Sequence, residues 1–228
     1  MPLLNDGNYK TRKGERYGFI TFGMHLAPFK LAGRNVCPSA SAGCAAACLN
    51  TAGRGIMKNV QEARIKKTKW FHSDRSGFLS ELRKEIASSL RKAKRKEMNP
   101  CFRLNLTSDL PWESLDVISA FPEYQFYDYT KIKRRMDRYL AGDLPQNYHL
   151  TFSRSEETPD DLVHEICERG GNVAAVFSQD LPKKWQGIMV IDGDDSDLRF
   201  RDPRGVIVGL RAKGRGKKDT TGFVIYND

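Results

Sequence analysis

The spacing of apolar and polar positions changes several times along the chain. The run YGFITFGMHL, Tyr17 to Leu26, is dense in aromatic and branched residues and predicts a first strand. The Ala-rich stretch from Ala42 to Asn50 predicts a short helix. Gly53 and Gly55, on either side of Arg54, break it. A helix is expected from Ile56 to Phe71, and a longer one from about Asp74, with Ser73 as N-cap. In that second helix Phe78, Leu82, Ile86 and Leu90 recur at i, i+4 and form one apolar stripe. Asn99-Pro100 marks its end.

Beyond this point the pattern alternates. Strands are predicted at Cys101–Leu106, Gln125–Thr130, Tyr148–Ser153, Asn172–Ser178, Gly187–Asp192 and Val206–Ala212, with a short last one at Phe223–Tyr226. Helices are predicted at Trp112–Ala120, Lys131–Leu140 and Asp160–Arg169. Strands alternating with helices indicate an α/β fold with a mainly parallel sheet and right-handed crossovers. No internal repeat, low-complexity tract or linker divides residues 1–228, so a single domain is expected. Its N-terminal part, residues 1–100, holds the first strand, a cysteine-bearing loop and basic helices. Residues 101–228 hold the repeating strand-helix units.

Polar residues recur where these strands end. Asn105, Thr107, Ser108 and Asp109 follow one strand, Asp128 and Lys131 close the next, and Ser153, Arg154 and Ser155 follow a third. Ser178 and Gln179 end a fourth, Asp192, Asp194 and Asp195 a fifth, and Arg211 and Lys213 a sixth. In parallel α/β folds the ligand site lies at the carboxyl ends of strands. Asn105, Ser108, Asp109, Asp128, Lys131 and Ser153 are therefore the expected lining and catalytic residues of a cavity.

The loop after the first strand adds chemistry. Cys37, Cys44 and Cys48 lie in NVCPSASAGCAAACLNTAGRG with the spacing C-x6-C-x3-C. Cys44 and Cys48 share a face if the segment is helical. The small neighbours leave room for a bulky inorganic group and for N–H bonds to sulfur. Such a thiolate group ligates zinc or an iron–sulfur cluster. A structural zinc ion would need a fourth ligand, for which His25, His72 and Cys101 are candidates. A [4Fe-4S] cluster can stand on three cysteines with one iron open to a ligand. Five cysteines in a chain with no membrane span and no signal-peptide core fit a reducing, cytoplasmic setting. In that setting Cys101 and Cys167 read as buried thiols.

Charge modifies this picture. The chain carries a formal charge of +10. Residues 54–96 hold fourteen Lys and Arg against Glu62, Asp74, Glu81 and Glu85, a surplus equal to that of the whole chain. A basic patch of this kind suits a polyanion, and Arg64, Lys66, Lys67, Lys92, Lys94 and Arg95 are the candidate nucleic-acid contacts. A solvated helix face is the alternative.

The layout resembles the radical S-adenosylmethionine enzymes, with a three-cysteine loop after strand one. That resemblance implies an incomplete (β/α) barrel, a [4Fe-4S] cluster on Cys37, Cys44 and Cys48, and S-adenosylmethionine as a further cofactor. The chain departs from that superfamily's C-x3-C-x2-C, and LTSDLP stands where a Gly-Gly-Glu segment would follow the second strand. CPSASAGCAAACLNTAGRG, RLNLTSDLPWE (Arg103 to Glu113) and FPEYQFYDYTK (Phe121 to Lys131) together resemble a family of uncharacterised bacteriophage gene products. Some of these are labelled as associated with rolling-circle replication. That resemblance implies phage origin, the host cytoplasm and an iron–sulfur site. Two readings follow. One is a redox or radical enzyme acting on a nucleotide or nucleic acid. The other is a metal-stabilised nucleic-acid-binding protein of phage DNA replication without enzymatic activity.

A rolling-circle nickase needs a His-x-His pair, and neither His25 nor His149 has one. The acidic run DGDDSDLRFRD, Asp192 to Asp202, resembles part of a calcium loop but has Pro203 at the twelfth position, so a solvated turn or a magnesium site is expected. The tail GLRAKGRGKKDTTGF is either a phosphate clasp or a flexible loop.

Overall fold

The computed structural model describes residues 1–6 and 9–226. Its elements are β1 (Leu4–Asn5), α1 (Tyr9–Arg12), β2 (Phe19–Met24), α2 (Ala42–Ala46), α3 (Lys58–Ser73), α4 (Arg75–Arg95), β3 (Asn99–Arg103), β4 (Gln125–Thr130), α5 (Lys133–Leu140) and β5 (Tyr148–Ser153). They continue with α6 (Asp160–Glu168), β6 (Val173–Phe177), β7 (Lys184–Trp185), β8 (Ile188–Asp192), β9 (Ile207–Arg211) and β10 (Val224–Ile225).

One ten-stranded sheet spans the chain, in the order β1-β2-β3-β4-β5-β6-β9-β8-β7, with β10 also on β6. From β2 to β8 every neighbouring pair is parallel. Only the short edge strands β1 and β7 pair antiparallel. The expected α/β class with a mainly parallel sheet is thus present. Among the described residues no pairing joins the two edges, so the sheet is open.

Alternation along the strands sends two kinds of side chain to two faces. Ile20, Phe22, Phe102, Phe126, Leu150, Phe152 and Val173 join one core with Phe78, Leu82 and Ile86 of α4, Met136 of α5, and Val163 and Ile166 of α6. Helices thus cover this face, as right-handed crossovers between neighbouring strands require. Phe71 of α3, Phe78 of α4 and Trp112 pack edge-to-face or stacked with ring centroids 5.3 to 6.5 Å apart. Burying each such ring contributes about 2–3 kcal/mol. These rings fasten both helices to the segment after β3.

The other face is unlike a cavity wall. Cys101 and Tyr127 pack there against Leu198, with Phe19 and Phe200 around them. Residues 193–206, which carry the chain from β8 back to the start of β9, lie across this face. Arg103 donates to both oxygens of Asp197 at 3.1 and 2.8 Å, Tyr127 Oη donates to it at 3.2 Å, and Lys10 stands 3.3 Å away. Burial alone would raise the Asp197 carboxyl, but Arg103, Lys10 and Arg199 bring it down to about 2. The DGDDSDLRFRD segment is therefore neither a calcium loop nor a merely solvated turn. Asp192 and Asp194 pair with Arg211, Asp195 with Arg16 and Asp197 with Arg103, so each of these carboxylates already holds a cation.

Several elements differ from expectation. Trp112–Ala120 is no helix: only Trp112–Ser114 makes a 3-10 turn, and Asp116 has a φ of 52°, outside the helical region. The N-cap of α4 is Asp74, not Ser73; its side chain accepts from the Gly77 N–H. α3 starts at Lys58 because Met57 is extended. The Asn99-Pro100 pair opens β3 instead of standing between elements. β1 and the 3-10 turn Lys13–Tyr17 carry no period long enough to read.

Candidate functional site

Because β2 to β8 run parallel, their carboxyl ends share one edge. The cysteine loop leaves β2 at that edge. Val36 is buried and bonds back to Phe29 O, while α2 begins at Ser41, whose hydroxyl caps the Cys44 N–H at 3.2 Å. Glu156, just past β5, ties the loop down from the opposite side. It accepts from Ser41 Oγ at 2.7 Å and from the Gly43 N–H at 2.6 Å. Gly43 is required for this approach, since a Cβ there would stand 2.2 Å from Thr221 Oγ1 and 2.8 Å from the Glu156 carboxylate.

The three thiols lie on one loop, with Cys44 and Cys48 near enough to Cys37 to act on it electrostatically. Each is partly exposed. Burial pushes the Cys37 thiol up to about 12 and raises Cys44 and Cys48 as well. Cys37 Sγ accepts the Phe29 N–H at 3.4 Å and faces Thr107 O at 3.6 Å. The Asn50 N–H is directed at the Cys48 sulfur. Among the described residues no three His, Cys, Asp or Glu side chains converge as one metal ion requires. A tetrahedral zinc ion at about 2.3 Å from each sulfur draws its ligands close together. A multi-iron cluster holds them farther apart and takes N–H bonds to sulfur.

Two cations lie within electrostatic reach of these thiols. Lys131 affects Cys44, and Arg64 affects Cys48. Lys131 Nζ donates to Ser153 O, Ser153 Oγ and Arg154 O at 3.1, 2.9 and 2.9 Å. Arg64 is buried, donates through Nη1 to Asn50 Oδ1, and leaves its Nε without an acceptor. Among the described residues neither cation has a carboxylate within ion-pair distance. Burial lowers the pKa of both, opposed at Lys131 by Cys44 and, from farther off, the Asp109 and Glu156 carboxylates, and at Arg64 by Cys48.

The structure sets Lys131 within electrostatic reach of Cys44, bonds Ser153 to Lys131, and gives the other four strand-end residues different work. Asn105 Oδ1 accepts from Ser108 Oγ, the Leu110 N–H and Trp112 Nε1 at 2.7, 3.0 and 3.0 Å. Asp128 accepts the Asn105 N–H at 2.7 Å and Tyr148 Oη at 3.0 Å, on the helix-covered face. Burial raises its carboxyl to about 7. Asp109 accepts the Lys131 N–H at 2.8 Å and pairs with Arg135, which also grips Glu113 through two bonds of 2.9 and 2.8 Å. Asn105, Ser108, Asp109 and Asp128 therefore shape the 105–113 loop and hold it against the sheet. Ser178 and the Asp192–Asp195 group stand elsewhere on the same edge, bonded to the chain itself.

Of the candidate fourth ligands, Cys101 lies on the opposite face with Thr21 Oγ1 at 3.2 Å, and His72 packs on Phe71. His25 is close to Arg64 and Arg103, and burial lowers its pKa to about 3. Cys167 is buried in α6.

The basic segment 54–96 does not form one surface. Arg64 and Lys67 are buried, so neither can meet a nucleic-acid backbone; Lys67 donates to Leu3 O at 3.0 Å. The reason is amphipathicity: both share the inward face of α3 with Thr68 and Phe71. Lys66, Lys94 and Arg95 are exposed, and Lys92 pairs with Asp6 at 2.8 Å. α4 ends at the strand-start edge, where the Asn99 N–H bonds Gly18 O. Lys92, Lys94 and Arg95 thus lie at the far end of the molecule from the cysteines. Sequence reasoning passed over Glu156 and Arg64 as parts of the site. Glu156 could have been found as the first acid past a strand end. Nothing local separates Arg64 from its exposed neighbours.

No helix among the described residues is long and apolar enough to cross a membrane. A family model described as gene product 88 matches residues 2–227. At the level of the family, this bears out the resemblance to uncharacterised phage gene products. No curated protein and no solved structure matches the chain.

Proposed function

The chain belongs to the gene product 88 family, and we propose that it is an iron–sulfur protein whose cluster stands on Cys37, Cys44 and Cys48 at the carboxyl edge of the sheet. The observation that carries this reading is the charge arrangement. Lys131 and Arg64 lie within electrostatic reach of Cys44 and Cys48, and their side chains donate to carbonyls, a hydroxyl and an amide, with no carboxylate in ion-pair distance among the described residues. A cation held out of water is costly unless an anion offsets it. Three thiolates on a cluster supply that anion, and a neutral thiol triad does not. The consecutive order from β1 to β6, with helices on one face, supports reading the sheet as an incomplete barrel in which the loop after β2 carries the cluster.

In this reading a [4Fe-4S] centre has three protein ligands and one open iron, and it supplies electron transfer or ligand activation when bound. The protein's own residues supply the rest. Phe29 and Asn50 N–H groups orient sulfur, and Glu156 fixes the loop through Ser41 and Gly43. Lys131, held by Ser153 and Arg154, presents positive charge to whatever approaches Cys44. The reaction class is redox or radical chemistry on a nucleotide or nucleic acid. For S-adenosylmethionine the chain offers no Gly-Gly-Glu segment after β3, so a different ligand at the open iron is the reading we adopt.

Anaerobic purification with iron and sulfide analysis tests this. About four irons and four sulfides per chain are expected, lost in each of Cys37→Ala, Cys44→Ala and Cys48→Ala and retained in Cys101→Ala. Colourless protein with one zinc would overturn it. That result would favour the non-enzymatic, metal-stabilised nucleic-acid-binding protein.

A further inference from the structure

The chain contains Gly-Arg-Gly twice, at residues 53–55 and 214–216. Though 161 positions apart in the chain, the two triplets adopt the same turn. Each opens a 3-10 turn, Gly53–Ile56 and Gly214–Lys218. In each the first glycine is left-handed, with φ of 51° and 55°. In each the arginine is exposed and the second glycine is buried. A Cβ on Gly55 would lie 2.8 Å from Asn50 O, and one on Gly216 would lie 3.5 Å from Ala47 Cβ. Both turns therefore seat on the loop around Cys48. They also touch: a Cβ on Gly214 would come within 2.8 Å of Ala52, the residue before Gly53.

Arg54 and Arg215 are left without partners. No hydrogen bond or ion pair joins either side chain to a described residue. Lys58, Lys217 and Lys218 extend the same two segments and are exposed. No Asp or Glu occurs between Glu15 and Glu62, so the whole stretch from β2 to the start of α3 offers no counter-charge. Nearby acids are mostly spoken for: Glu156 holds Ser41 and Gly43, Asp219 accepts the Val224 N–H at 3.0 Å and Asp194 pairs with Lys213, while Glu62 on α3 is exposed. Between the bases stand exposed apolar side chains, Leu49 at 57%, Ile56 at 63% and Met57 at 49%.

We propose that the twinned Gly-Arg-Gly turns are a docking rim for single-stranded nucleic acid, laid across the mouth of the three-cysteine loop. Single-sign charge without interspersed acids suits the evenly charged backbone of a polyanion, whereas a folded acidic protein is selected by mixed charges. The left-handed first glycine of each triplet turns the chain so that its arginine stands exposed to a phosphate. Exposed apolar faces between cations suit unstacked bases, which a duplex hides. Docking there needs no cluster; that the strand is the substrate of the centre rests on the iron–sulfur reading.

Fluorescence anisotropy of a labelled oligothymidylate, read over a salt series, tests this on the full chain. Loss of one phosphate contact lowers the single-strand salt slope by about 0.7. The Arg54→Gln, Arg215→Gln double variant is expected to bind about tenfold more weakly, with a slope lower by about 1.4. Lys94→Gln with Arg95→Gln, at the far end of α4, is expected to bind as the parent does. Both arginines are exposed, so folding is not at stake, and circular dichroism checks it. Unchanged binding in the double variant overturns the proposal. So does loss only in the α4 variant, equal affinity for duplex, or equal competition by polyglutamate. Strand binding that survives Cys44→Ala while iron is absent from the parent would sink the cluster and leave the rim standing.

Discussion

Two clusters of buried charge, one on each side of Asp109, are built by opposite rules. Around Arg135 every group is answered. The guanidinium holds Glu113 through two bonds, pairs with Asp109 and donates to Tyr148 Oη at 2.9 Å, and Tyr148 passes to Asp128. Around the cysteines the cations Lys131 and Arg64 meet carbonyls, a hydroxyl and an amide, and act on the thiols only electrostatically. A saturated network fixes a loop in one arrangement, and nothing further can bind to it. The cluster with a charge deficit is where the molecule has room for an anion. The contrast explains why four of the six strand-end residues are architectural although all six are polar and lie near strand ends.

The sharpest way to break the comparison is Arg135→Leu. It leaves Asp109 and Glu113 buried and unpaired, and a loss of about 3–5 kcal/mol is expected in urea unfolding. A change under about 1 kcal/mol would mean that the network is not saturated as described. A middle-sized effect is expected from Asp197, which belongs to the answered kind. Its folded carboxyl lies near 2, below the ordinary 3.8. Its contribution is thus present above the ordinary value and is lost as pH falls from about 4 to 2. Over that window the parent should lose about 2 kcal/mol more than Asp197→Asn, which lacks this titration. Parallel pH curves for the two proteins would refute the ion pair. The smallest stability effect is expected from Lys131→Met in iron-free protein, under about 1 kcal/mol, because relieving a desolvated cation offsets the hydrogen bonds that are lost. The same variant should hold iron less well, and the midpoint potential of the remaining iron should fall by some tens of millivolts, where about 59 mV is tenfold for one electron. An unchanged potential would separate Lys131 from the centre.

Much of the scaffold was readable in advance. The strands Gln125–Thr130 and Tyr148–Ser153 stand where they were expected, because aromatic and branched residues at period two have few alternatives. The cysteine loop follows β2 as expected. Trp112–Ala120 failed for a nonlocal reason: Arg83 takes the Leu115 and Asp116 carbonyls, which a helix would have needed for itself, and Asn105 holds the Trp112 indole. The site was half legible. Three thiols in a small-residue loop are visible as letters, but a charged letter does not say whether its partner is water, a carboxylate or a carbonyl.

By itself the sequence determined the order of the elements, the parallel sheet and the position of the thiols, because hydrophobic period and loop composition act over a few residues. Only the tertiary structure decided which charges are spent. It buried Arg64 and Lys67 on the inner face of α3, laid residues 193–206 across the face where a cavity was expected, and set two distant Gly-Arg-Gly triplets side by side. Each of these depends on contacts between segments far apart in the chain, and Coulomb energy and desolvation are fixed by distance in space.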